Sequence, residues 1–210
     1  MNPAALVLLA AMVTSVAGFV VLRVRTGSTP VPLAPPRGSA AAGALYAFTV
    51  AFAPWAKESA SRHLPSYAAG IAYHLAVFTA LITLVHSLFG TPLPRALNAA
   101  TAVLVAVGLV AGAALLVKRC TDLRLRAISV PEDFFANGLV DLTLVAGLAT
   151  TVCPTALPIF QIVGAVLLLY APFGKLRHLL FLLTSRRDLG ATLGRRGVWP
   201  VSHPRGTDRG

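Results

Sequence analysis

Five apolar stretches, each long enough to cross a bilayer as a helix, leave this chain few other folds to adopt. They run through residues 4–22, 67–89, 97–117, 134–152 and 155–183. A hydrocarbon core of ~30 Å takes about 20 apolar residues of helix. In lipid the backbone must bond to itself, so each stretch is expected to be helical. The expected fold class is all-α: an integral membrane bundle of five transmembrane helices over residues 1–187. A flexible basic tail would follow at 188–210.

Charge supplies the expected orientation. Of the 18 Lys and Arg residues, only Arg95 lies in the loops between spans two and three or between spans four and five. The others lie between spans one and two, between spans three and four, or at and beyond the end of span five. The positive-inside rule then sets the N-terminus outside and the C-terminus in the cytoplasm. The membrane implied is a bacterial-type inner (cytoplasmic) membrane, crossed several times. The first run lacks a basic n-region, and its Arg residues follow the apolar core, so it reads as an anchor and not a signal peptide. The net charge of +11 is accounted for by topology and by attraction to anionic headgroups. Nucleic-acid binding would need a soluble basic module, and none is legible. Cys120 and Cys153 fall at opposite membrane faces and cannot pair.

Breaks in the apolar pattern mark the loops. Gly90-Thr91-Pro92-Leu93-Pro94 closes the second span, Val130-Pro131-Glu132-Asp133 opens the fourth, and Cys153-Pro154 separates the fourth from the fifth. A proline and acids suit a first helical turn. The short apolar run 40–54 is expected to be a membrane-surface or re-entrant helix, since a sixth crossing would break the charge asymmetry.

The chemistry must lie at the polar side chains inside the spans. His74 is expected about 10 Å into the second helix. His178 is expected about 12 Å from the cytoplasmic end of a continuous fifth helix. Two imidazoles at matched depth on different helices can clamp a flat iron macrocycle, because neutral imidazole is a common iron ligand. Each His could instead simply hydrogen-bond a neighbouring helix. Lys57, Arg62, Lys175 and Arg177 cluster near that depth and would neutralise haem propionates. His86 lies about 18 Å beyond His74, near the outer face and too far to share its iron. Asp141, inside the fourth span, reads either as a partner for Asn137 or a cation, or as a proton relay.

Several of these segments resemble the respiratory nitrate reductase gamma subunit family. Pro54-Trp55-Ala56-Lys57-Glu58-Ser59, then His63 and Tyr67-Ala68-Ala69-Gly70-Ile71-Ala72-Tyr73-His74, are similar to the approach to that family's haem-bearing helix. Val85-His86-Ser87-Leu88-Phe89-Gly90 resembles that helix's exit. Ala171-Pro172-Phe173-Gly174-Lys175-Leu176-Arg177-His178 is similar to the family's last helix, where a basic-x-x-His run carries a haem ligand. The similarity spans about residues 1–185. At residues 55–63 and 125–133 it is closer to the branch that accompanies heterodisulfide-reductase-like iron–sulfur subunits.

The resemblance implies a membrane cytochrome b with one haem near each face and quinol oxidised at the outer one. His74 and His178 match the inner ligand pair, and His86 matches the outer ligand of the second helix, a candidate for a second haem. The partner of His86 should fall about five turns before His178, where Phe160 and Gln161 stand. The expectation is therefore one haem b and not two. The implied function is a haem b subunit of a respiratory oxidoreductase. It would carry electrons between the quinone pool and a cytoplasmic iron–sulfur subunit, with an outer quinone site using His86 and Arg95. The alternative is a cofactor-free membrane anchor that docks the same kind of partner.

Overall fold

The structure, a computed structural model, describes residues 2–27, 35–53 and 62–200. Among them the secondary structure is entirely helical. The helices are α1 Pro3–Thr26, α2 Ala40–Phe48, α3 Leu64–His86, α4 Arg95–Thr121, α5 Leu123–Ile128, α6 Pro131–Val152, α7 Leu157–Tyr170 and α8 His178–Arg195. Among the described residues four helices are long and apolar enough to cross a membrane: α1, α3 with its 3-10 extension to Phe89, α4 and α6. A fifth crossing exists only if α7 and α8 are taken together as one broken span. These helices fit a multi-pass membrane protein.

Local chemistry sets the helix ends. Asn2 Oδ1 accepts from the Ala5 amide at 2.7 Å and starts α1. Gly90, at φ 67°, turns the chain after α3, a left-handed conformation that favours glycine. Pro131 occupies the first turn of α6, and the Val130 amide donates to Asp133 Oδ2 at 2.9 Å. The Asp122 side chain accepts from the amides of Arg124 and Leu125 and caps α5.

The expected continuous fifth helix is not found. α7 stops at Tyr170, residues 171–174 form a turn, a 3-10 turn covers Lys175–Arg177, and α8 begins at His178. Pro172 lacks an N–H, and its ring would clash with the carbonyl four residues back in a continuing helix. The Phe173 and Gly174 amides turn back to the Tyr170 carbonyl at 3.1 and 2.9 Å. α7 alone is about 21 Å long, short of the hydrocarbon thickness.

The chain divides into two compact units: Met1–Arg25 with Pro65–Arg177, and Thr26–Leu64 with His178–Gly210. The core of the first gathers Leu8 and Ala11 of α1, Ala76, Ala80 and Leu84 of α3, Val105 of α4, Leu144 of α6, and Phe160 and Ala165 of α7. Small residues set the helix spacing, as expected where lipid removes the hydrophobic drive between helices. A Cβ on Gly108 of α4 would overlap the Ala76 side chain of α3. Gly18 of α1 leaves room for the Pro172 ring, which a Cβ there would meet at 2.8 Å. α6 is the most enclosed span, with 39% of its apolar window buried against 17% for α3. Large side chains such as Val13, Ile82, Val110 and Val152 point outward, as a lipid-facing surface requires.

In the second unit α2 packs on α8 through glycine. A Cβ on Gly43 would overlap the Gly190 carbonyl, and one on Gly194 would overlap the Ser39 carbonyl. Arg186 Nη1 donates to the Ala47 carbonyl at 3.3 Å, and its guanidinium lies 4.8 Å over the Phe52 ring. The Arg37 amide donates to the Arg195 carbonyl at 2.8 Å. Residues 188–195, expected to lie in a flexible tail, are thus part of α8. The rest of that expected tail beyond residue 200, with His203, Arg205 and Arg209, lies outside the described residues, as does Lys57.

Candidate functional site

His74 sits on α3 about 15 Å beyond Leu64 along the helix. That is deeper than a start at Tyr67 would give, because α3 begins three residues earlier. Its Nδ1 lies 2.7 Å from the Gly70 carbonyl. A carbonyl can only accept, so Nδ1 carries the proton and donates. In a neutral ring of this tautomer the lone pair is on Nε2, the nitrogen a metal ligand would use. Gly70 itself has open space where a Cβ would stand. The ring meets Tyr73 edge to face, with centroids 6.4 Å apart.

His178 is exposed and opens α8 after the break. Arg186 lies eight residues further along the same helix, but that helix does not continue from α7. The separation is therefore not a depth in one continuous span, and the register that aligned Phe160 with His86 does not hold either. His178 and Arg62 belong to the second unit, whereas His74, Lys175 and Arg177 belong to the first. Lys175 and Arg177 share one exposed 3-10 turn. Lys175 Nζ stands 3.0 Å from Asp133 Oδ1, and Arg119 Nη1 stands 3.6 Å from Asp133 Oδ2. The Lys175 charge, expected to serve a propionate, is thus already balanced by a carboxylate. Tyr170 ties the same corner together: its hydroxyl donates to Glu132 Oε1 at 3.2 Å and accepts from the Lys175 amide at 3.2 Å.

The opposite end of this unit holds a cavity of about 330 Å³. It is bounded by the end of α3, the start of α4, the end of α6 and the start of α7. His86, Ser87, Thr91, Asn98, Thr150 and Thr151 supply its polar lining, with Leu93, Pro154 and Leu157 among its apolar walls. His86 Nε2 is 3.4 Å from Thr91 Oγ1. Asn98 Nδ2 donates to the Thr151 carbonyl at 3.0 Å. Arg95 is exposed at the first position of α4 and is not among the lining residues. Phe160 is fully buried, its ring 3.1 Å from where a Cβ on Gly147 would stand. Gln161 is 1% exposed, and its Nε2 donates to Ser87 Oγ at 3.1 Å. The Gln161 Oε1 is buried without a partner. The sequence signal for this contact was one amide in the apolar run Ile159-Phe160-Gln161-Ile162.

At the midpoint of the unit the Tyr73 hydroxyl donates to Asn137, 3.2 Å from Oδ1 and 3.4 Å from the carbonyl. Asn137 was an expected partner of Asp141; it pairs with Tyr73 instead. Among the described residues no group of three or more His, Cys, Asp and Glu side chains could hold a metal ion. A bis-imidazole haem needs two His and no such group. No family model, no curated protein and no solved structure matches the chain.

Proposed function

We propose that this chain is a haem b membrane subunit of a respiratory oxidoreductase, related to the nitrate reductase gamma subunits. In this role it carries electrons between the quinone pool and a cytoplasmic iron–sulfur subunit. His74 and His178 are the axial ligands, and Arg62 and Arg177 are the cations facing the propionates. Lys175 contributes less than the other cations, since Asp133 shares its charge. One haem is bound and not two in this reading, since His86 is the one histidine among the residues lining the cavity at the other end. When bound, the haem supplies a one-electron couple; the protein fixes the imidazoles and limits water.

The observation that carries the proposal is the His74 ring. Its Nδ1–H is held by the Gly70 carbonyl inside a span. A backbone acceptor on the far nitrogen is the usual way to orient a ligating imidazole and raise its basicity. The cavity near His86 supports a quinone headgroup site at the other end. Its volume lies at the small end of ligand pockets, enough for a ring with its tail in lipid. His86, Ser87 and Asn98 are the polar groups for the ring oxygens, in place of the expected His86 and Arg95 pair. The N-terminus lies outside and the C-terminus in the cytoplasm, which requires α7 and α8 together to complete one crossing.

Quinol-driven reduction tests the proposal. Membranes containing the full chain should show a b-type absorbance change on adding quinol, and His74→Ala membranes should not. An unchanged signal in His74→Ala would overturn the ligand assignment. The second reading, a cofactor-free anchor, is favoured by one observation: Lys175 is already paired with Asp133.

A further inference from the structure

Asp141 stands on α6 about 15 Å beyond Pro131, in the most enclosed span of its unit. Its Oδ1 is buried and has no hydrogen-bond partner. Three helices define its surroundings. α3 contributes Tyr73, whose hydroxyl donates to Asn137 and also stands within hydrogen-bonding reach of the Asp141 carboxyl. α4 contributes Gly112, and α6 itself contributes Asn137 one turn earlier. A Cβ on Gly112 would overlap the Tyr73 ring and stand 2.5 Å from Asp141 Oδ1. The carboxyl oxygen is thus pressed against the α4 backbone, whose amides are spent inside the helix.

No cation answers the carboxylate. Among the described residues Asp141 takes part in no ion pair. The charged residues of α4, Arg95, Lys118 and Arg119, lie at its ends. α7 carries no titratable side chain before Tyr170, which is bonded to Glu132. His74 adjoins Tyr73, and its Nδ1 turns back to the Gly70 carbonyl. A charged, unpaired carboxylate in a membrane span is costly and marks a functional group by default.

We propose that Asp141 is a proton-binding site of the bundle, a carboxyl that takes up one proton and releases it. Protonation turns a carboxylate with one buried, unpartnered oxygen into a neutral group that carries its own O–H. The oxygens of Asn137 and Tyr73 are the acceptors in the same cluster. The balance is one proton and one carboxylate giving one neutral acid, with nothing oxidised or reduced. The proposal does not depend on haem.

Infrared spectroscopy of the full-length protein in liposomes tests it, with wild type compared with Asp141→Asn. The expected result is a protonated-carboxyl stretch that moves in D2O, is missing in Asp141→Asn, and gives way to carboxylate bands as pH is raised. Dicyclohexylcarbodiimide, which attacks protonated carboxyls in membranes, should label the Asp141 peptide and lose reactivity over the same pH range. If Asp141→Asn fails to insert, Asp141→Glu should shift the band without removing it. His74→Ala should leave the band in place whether or not it loses haem. A missing band, or one unchanged over the whole accessible pH range, would overturn the proposal.

Discussion

The His74 imidazole shows how one backbone contact decides what a side chain can do. Because Nδ1 donates to the Gly70 carbonyl, the ring is held in one orientation on α3. His74→Ala is expected to abolish the low-spin haem while the protein still inserts, read by the visible spectrum of purified protein. A residue with a different logic is Gln161. Its Nε2 has a partner in Ser87 and its Oε1 has none. Breaking half of a buried pair costs more than removing a group that was half satisfied. Ser87→Ala, which strands the whole Gln161 amide, should cost about 1–3 kcal/mol. Gln161→Leu should cost less, since interhelical hydrogen bonds in membranes average about 0.6 kcal/mol. Denaturation in mixed micelles checks the order; a larger loss for Gln161→Leu would show that the amide is better satisfied than the geometry implies. The Gln161–Ser87 contact cannot be read from sequence, because it depends on which residues of a distant segment come into reach, whereas Gly70 stands one turn before His74 on the same helix.

Helix boundaries were legible wherever the chain carries punctuation. Gly90, Pro131 and Cys153-Pro154 all stand where an element starts or stops. Pro172 is punctuation of the same kind, yet the apolar residues on both sides hid its effect on α7. The α2–α8 pairing was hidden differently. Gly190 and Gly194 read as loop residues in an Arg-rich tail, but they are four apart, and so are Gly43 and Ala47 of α2. Small residues at that spacing let two helix backbones meet. Gly194→Val or Gly43→Val should therefore separate α2 from α8, since the obstructing atoms are backbone and cannot turn aside. Limited proteolysis is expected to cut within residues 178–195 in these variants and to spare the wild type. Equal resistance would mean that the pairing is not close-packed in the membrane. Truncation after Arg187 would remove the same glycines. A docking role for the basic C-terminal region is better tested by Arg195→Gln with Arg196→Gln, which keeps them.

At the scale of the whole molecule, the multi-pass architecture follows from the apolar spans and the loop chemistry. Orientation rests on the charge count alone, and the two native cysteines can test it. Cys120 ends α4 beside Lys118 and Arg119, whereas Cys153 follows α6, and both are exposed. A hydrogen bond from Thr155 at 2.9 Å holds the Cys153 thiol below its ordinary range, which favours its reaction as thiolate. An impermeant maleimide on intact cells should label Cys153 and spare Cys120 until the membrane is opened. Cys153→Ser should abolish the first labelling, and the reverse pattern would invert the topology. The proposed ligand pair, His74 and His178, stands out in the sequence as two histidines in or beside apolar runs. What hid its setting was the break at Pro172, which gives His178 a helix of its own. The most direct measurement of the haem proposal is haem per polypeptide in the purified full-length protein, by pyridine hemochrome against quantitative amino-acid analysis. One haem b per chain is predicted, falling to none in His74→Ala and in His178→Ala. A wild-type protein that inserts, purifies intact from haem-replete cells and carries no haem would contradict it.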